Sequence, residues 1–260
     1  MHIGLFDSGV GGLTVLKELV EKFPEAQFTY LGDTARLPYG NKAPETIQKF
    51  VHENCQFLKE QKVDWIVIAC HSASSVALDL DQYSGIPVFN VIAPSCDQAI
   101  KQSTNKKIGV MATKATTASQ VYPKQMQALD PKVQVASQAC PLLVPLVEEG
   151  HINDELAHMV LKSYLDPLIN KQVDTVLLGC THYPILKESI QKICGPAVAL
   201  INPATVLASE LSEQNLSRQD HTPKKITIHL TDHAPHFIQH TKALLGETLA
   251  QSIQWFSPIG

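Results

Sequence analysis

The sequence predicts an α/β fold of two pseudo-symmetric lobes, each a mostly parallel sheet flanked by helices, with the active site in the cleft between them. Three observations carry this expectation. Short apolar runs alternate with longer amphipathic stretches, as strands alternate with helices in α/β folds. Runs such as IVIA (66–69) and VLLG (176–179) are apolar at every position, which marks strands buried on both faces of a parallel sheet. Finally, one segment occurs twice: VDWIVIACHS at 63–72 and VDTVLLGCTH at 173–182. A weaker echo precedes each copy, IGLFDSG at 3–9 and IGVMATK at 108–114.

Taken in order, strands are expected at 2–6 (HIGLF), 27–31 (QFTYL), 64–69 (DWIVIA), 86–91 (IPVFNV) and 107–111 (KIGVM), then at 132–136 (KVQVA), 174–179 (DTVLLG), 197–201 (AVALI) and 225–230 (KITIHL). Helices fill the gaps at 12–23, 44–61, 72–82, 94–104, 116–129, 141–149, 153–170, 183–193, 203–214 and 234–245. The echo assigns 1–95 to a first lobe and 96–205 to a second. Residues 206–260 add a helix, the polar stretch SEQNLSRQDHTPKK, a strand and a helix. They are expected to return to the first lobe, because domain termini often lie close together.

The 260 residues suffice for one large or two small domains, and 44% hydrophobic with 18% charged content excludes a disordered chain. A net charge of −4 gives no electrostatic footprint for nucleic acid. No apolar run reaches the length of a membrane span. The start, MHIGLFDSG, enters a strand pattern directly and lacks a secretory signal, so the expected location is cytoplasmic.

Cysteines stand at 55, 70, 96, 140, 180 and 194, with no C-x-x-C pair. In a reducing compartment they are free thiols, and Cys55, Cys96, Cys140 and Cys194 read as small buried hydrophobes. Cys70 and Cys180 differ: each sits where a buried strand ends and polar residues begin. Open α/β sheets bind ligands outside the carboxyl ends of their strands. Five such loops are suggestive: DSGVGG (7–12), GDTARLPYG (32–40), CHSAS (70–74), ATKATTAS (112–119) and CTHYP (180–184). Together they offer two thiols, Asp7, His71, His182, several hydroxyls and glycine-rich backbone.

Two thiols flanking one substrate suit a reaction that moves a proton from one face of a carbon to the other. Such a reaction needs a base on one side and an acid on the other, and cysteine titrates close enough to neutrality to serve as either. His182 is placed to exchange protons with Cys180, and Asp7, ending the first strand, with Cys70. DSGVGG lacks the G-K-[ST] ending of a phosphate loop, and its glycines also read as a turn of unusual backbone angles. His233, His236 and His240 fall at helical spacing, but no carboxylate or cysteine cluster supports them; a solvated helix face is expected, and no metal site.

The segments FDSGVGGLTV (6–15), GDTARLPYG (32–40), ACHSAS (69–74), CPLLVPLVEEG (140–150) and LLGCTHYP (177–184) together resemble the glutamate racemase family, within the aspartate/glutamate racemase superfamily. The resemblance covers the chain to about residue 184 and weakens beyond. It implies two α/β lobes around one site and a two-base mechanism with no cofactor and no metal. Cys180 would deprotonate L-glutamate and Cys70 D-glutamate. Asp7 and His182 would be their proton partners, with Glu148 a further acid. Substrate binding would fall to Asp7, Ser8, Tyr39, Gly40, His71, Ser72, Thr116 and Thr181. The partner implied is the small molecule glutamate, with a homodimer as the family's common assembly and D-glutamate for peptidoglycan as the product's use. Three places depart from the family. His71 and Ser72 replace the asparagine and threonine of A-C-N-T-A-S, Ala93 stands where glutamate is usual, and Asn202-Pro203 where an Asp-Ser pair is usual.

Overall fold

Two all-parallel sheets organise the chain, described here by a computed structural model covering residues 1–77, 79, 85–213, 225–232, 235–247, 250 and 253–256. The first sheet contains β1 (His2–Asp7), β2 (Gln27–Gly32), β3 (Trp65–Ile68), β4 (Val88–Asn90), β9 (Ile226–Leu230) and β10 (Ile253–Phe256), in the order β10-β9-β2-β1-β3-β4. The second contains β5 (Lys107–Ala112), β6 (Gln134–Ala139), β7 (Thr175–Gly179) and β8 (Ala199–Ile201), in the order β6-β5-β7-β8. Every residue of β3 and β7 is buried, as the apolar runs WIVI and VLLG within them lead one to expect. Each fully buried Leu, Ile or Val there contributes about 1.5–3 kcal/mol.

Helices cover the faces: α1 (Leu13–Lys22), α2 (Pro44–Glu60), α3 (His71–Ser74), α4 (Ile92–Gln102), α5 (Lys114–Ser119), α6 (Val121–Leu129), α7 (Leu143–Glu148), α8 (Glu155–Ile169), α9 (Lys187–Cys194), α10 (Pro203–Glu213) and α11 (Pro235–Leu245). One apolar cluster runs from one sheet to the other. It joins Leu5 and Val67 to Leu16 of α1, Cys96 of α4, Leu207 of α10, and Val110 and Leu177 of the second sheet. That shared core fixes the two lobes against each other and leaves their strand ends to frame a cleft.

Several elements differ from the sequence expectation. The helix expected at 72–82 closes at Ser74, and residues 78 and 80–84 lie outside the described residues. The helix expected at 116–129 is two helices, broken at Gln120, whose φ of 57° is left-handed. Pro123 explains the break: it has no N–H for the carbonyl of Ser119, and its ring would strike that carbonyl in a continuous helix. The helix expected at 183–193 opens with a 3-10 turn, Tyr183–Leu186. Strand β10 was not anticipated.

The glycines of DSGVGG serve close approach rather than unusual angles, since none has positive φ. A Cβ on Gly11 would come within 2.4 Å of both His182 Nδ1 and Thr181 Oγ1. A Cβ on Gly12 would lie 2.4 Å from Asp7 Cβ. The loop after β1 therefore packs directly onto the loop after β7. His233 and the side chain of His236 lie outside the described residues, while His240 is half-buried on α11. Among the described residues no group of three or more His, Cys, Asp or Glu side chains is placed to hold a metal ion. No described helix is long and apolar enough to cross a membrane.

Candidate active site

Strand register brings the paired loops together. Phe6 of β1 lies beside Ile68 of β3, so the chain leaves that sheet side by side at Asp7-Ser8 and Ala69-Cys70. Ala112 of β5 lies beside Gly179 of β7, so Thr113 and Cys180 emerge together in the second sheet. Between these ends lies a cavity of about 240 Å³. The first lobe lines it with Ser8, Tyr39, Gly40, Cys70, His71 and Ser72. The second lines it with Thr113, Lys114, Cys140, Glu148, Cys180, Thr181 and His182, among others.

Cys180 sits within a charged relay. Its Sγ is 3.9 Å from His182 Nδ1, and His182 Nε2 is 3.1 Å from Glu148 Oε1. A histidine can donate from both ring nitrogens only as the imidazolium. Burial works against that charge, yet the hydrogen bonds and charges of Cys180 and Glu148 outweigh it and hold His182 at about 10. The same pair keeps Glu148 below its ordinary value despite burial.

Cys70 sits in a different environment. Its thiol donates to Ser8 Oγ at 3.9 Å. Burial, and then the charge of Asp7, push the thiol well up. The adjacent His71 is buried, and among the described residues neither of its ring nitrogens has a hydrogen-bond partner. Burial alone lowers it to about 3, so its ring is neutral. Asp7 is also buried and raised by desolvation, with His182 pulling the other way.

Asp7 does not line the cavity. It stands behind it, accepting from Gly9 N at 3.0 Å and from Thr181 Oγ1 of the other lobe at 3.3 Å. Thr116 is likewise behind the wall, 3.5 Å from Ser72 Oγ and 3.1 Å from Thr113 Oγ1. Thr14 ties α1 to the opposite loop through Thr181 O at 3.0 Å. Tyr39 faces the cavity while its hydroxyl donates to Asp33 and accepts from Asn54 Nδ2 at 3.0 Å. Asp33 is held in turn by Arg36 Nε at 2.7 Å and Thr231 Oγ1 at 3.0 Å. This network fixes the Tyr39-Gly40 turn, and a Cβ on Gly40 would meet Thr113 Cβ at 2.8 Å, so the turn seals against the second lobe.

Sequence reasoning missed several lining residues. Thr113 and Lys114 lay within a loop singled out at a strand end, but no spacing marked them individually. Cys140 read as a core thiol; it is fully buried yet contributes to the wall. Leu37, Pro38, Pro141, Val144 and Pro145 supply apolar wall that no chemical signal distinguishes from ordinary packing.

Paired strand-end thiols in twin parallel sheets, one of them beside a charged histidine, define an enzyme of the racemase class. The chain belongs to the Asp/Glu/Hydantoin racemase family, whose sequence profile matches residues 3–211. It is 43% identical over 256 residues to the glutamate racemase of Sulfurihydrogenibium sp., covering 98% of this chain and 97% of that one. A glutamate racemase isoform from Bacillus anthracis superposes with a TM-score of 0.91 at 35% identity, covering 99% of this chain and 98% of that one. The glutamate racemase of Francisella tularensis, solved in complex with D-glutamate, gives 0.90 at 36% identity, covering 99% and 97%.

Proposed function

We propose that this protein interconverts L- and D-glutamate without a cofactor, using Cys70 and Cys180 as the two proton-transfer groups. The observation that carries the reading is that both thiols, from different sheets, line one cavity. Cys180, beside the His182 imidazolium, takes the α-proton of L-glutamate as a thiolate. Cys70, kept as a thiol, gives a proton to the opposite face. In the reverse direction the roles exchange, with Asp7 and Ser8 on the Cys70 side and His182 and Glu148 on the Cys180 side moving protons to and from the sulfurs. Hydroxyls of Ser72 and Thr181, with His71 and the Tyr39-Gly40 turn, hold the substrate. Removing the α-proton is unfavourable beside a carboxylate, and positioned acid–base groups each contribute about 10²–10⁴-fold to such a step.

The strand partition supports two lobes, 1–95 with 206–260 and 96–205. D-Glutamate made this way would supply peptidoglycan. A reducing cytoplasm would keep the site thiols free.

The test is incubation with L-glutamate in deuterated water without added pyridoxal phosphate or metal. D-Glutamate carrying deuterium at the α-carbon is expected by chiral chromatography and mass spectrometry. The absence of both inversion and exchange would rule the reading out.

A further inference from the structure

The loop after β2 is anchored by a residue from late in the chain. Gly32 of β2 pairs with Leu230 of β9, so Asp33 and Thr231 leave the sheet side by side although 198 residues separate them. The main chain of Thr231 continues the pairing through its N–H to Gly32 O at 3.1 Å. Any residue except proline could do the same. The hydroxyl is more specific: it accepts from Ala35 N at 3.0 Å and donates to Asp33 Oδ1 at 3.0 Å. Thr34 completes the clasp, its hydroxyl donating to Asp232 O and accepting from Asp232 N, each at 2.9 Å.

Asp33 passes this anchor on to the cavity wall. It is fully buried, and a buried carboxylate needs donors on both oxygens. Oδ1 accepts from Thr231 and from Arg36 Nε at 2.9 Å; Oδ2 accepts from Arg36 Nε at 2.7 Å and from the Tyr39 hydroxyl. Arg36 and Tyr39 belong to the same short loop as Asp33, and Asn54 of α2 holds both of them from the other side. Thr231 ties the carboxylate itself to β9. Without that hydroxyl, Asp33 is free to turn toward its remaining donors, and Tyr39 follows it. Tyr39 carries Gly40, which stands so close to Thr113 of the second lobe that a Cβ would lie 2.8 Å from Thr113 Cβ. A shift of the turn therefore changes how the two walls of the cavity meet.

We infer that Thr231 is a positioning residue for the substrate, acting through Asp33 and Tyr39 to set where the Tyr39-Gly40 turn stands in the cavity. This rests on the racemase reading above, in which that turn holds glutamate. Cys70 bonds to Ser8 and Cys180 to His182, and neither to the turn. The turn thus holds the substrate alike before and during proton transfer. Weakening an interaction of that kind raises KM and leaves kcat nearly unchanged.

The experiment measures kcat and KM for L-glutamate in the wild type, Thr231→Val, Thr231→Ser, Thr34→Val, Tyr39→Phe and the double variant Thr231→Val/Tyr39→Phe, with thermal unfolding to confirm that each is folded at the assay temperature. Thr231→Val keeps the shape and the main-chain bond and removes the hydroxyl; it should raise KM about fivefold and leave kcat within about twofold. Thr231→Ser should restore KM. Thr34→Val removes as many hydrogen bonds from the clasp but none to Asp33, and should leave KM within about twofold of wild type. The double variant should have a KM no higher than Tyr39→Phe alone, because both changes act on one path. Should Thr231→Val not fold, Thr231→Ala carries the same expectations. An active wild type whose KM is unchanged in Thr231→Val, a Thr34→Val variant impaired as much as Thr231→Val, or effects that multiply in the double variant would overturn this inference alone. A wild type that racemises no acidic amino acid would overturn the proposed function, and this inference with it.

Discussion

Cys70 and Cys180 close equivalent strands in the two lobes, and each has a histidine just after it: His71 in the first lobe, His182 in the second. Both histidines are buried, yet they titrate in opposite directions. His71 has no hydrogen-bond partner among the described residues, and burial lowers it to about 3. His182 lies between a sulfur and a carboxylate, and those partners raise it to about 10 against the same burial. The comparison teaches that a repeated backbone does not carry a repeated electrostatic environment. Desolvation favours the neutral ring in both lobes, and only the second lobe supplies hydrogen-bonded partners strong enough to reverse it. The site is thus symmetric in frame and asymmetric in charge, with a protonated acid on one side and a charged relay on the other.

The largest expected effect breaks the frame itself. Cys70→Ser and Cys180→Ser should each reduce racemisation by about 10³-fold or more, followed by chiral assay in both directions. Either single variant keeping near-native rates would show that one lobe suffices, and the two-sided comparison would fail.

The next effect sharpens the asymmetry. His182→Asn removes the relay and should lower kcat by about 10²-fold. His71→Asn, which installs the residue usual in the family, should stay within about tenfold of wild type because it removes no relay. Equal losses in the two variants would mean that the histidines are not distinct in role.

Smallest in effect, and most direct on the electrostatics, is stability against pH. His182, raised above its unfolded value of 6.5, contributes stability that is fully present below that pH and is lost as pH rises through about 10. His71, depressed below 6.5, contributes stability present above that pH and lost as pH falls through about 3. Urea unfolding across the pH range should show His182→Asn flattening the alkaline limb and His71→Asn the acid limb, each on the order of a few kcal/mol. Two variants that flatten the same limb would contradict the opposite signs.

Much of this arrangement was legible in the sequence. The uninterrupted apolar runs gave β3 and β7, and the duplication aligned Cys70 with Cys180 before any contact was known. Strand β10 escaped because an edge strand needs little apolar content: Ile253 is buried, while Gln254 and Phe256 are exposed. Glu148 had no signal of its own and entered only through family resemblance; it reaches His182 from α7, an element distant in sequence. Asp7 was expected beside Cys70. It does bear on that thiol electrostatically, but its hydrogen bond from the other lobe comes from Thr181.

By itself, the sequence determined which segments become strands and which reactive residues stand at their carboxyl ends. Hydrophobic period and strand-end position are local properties, readable within about ten residues. Only the tertiary structure decided the charge of each group. Desolvation and hydrogen bonding depend on every atom within a few ångströms, and here those atoms come from Glu148 against His182 and from Thr181 against Asp7. The same dependence leaves His71 neutral and His182 charged, a difference that two similar ten-residue segments do not record.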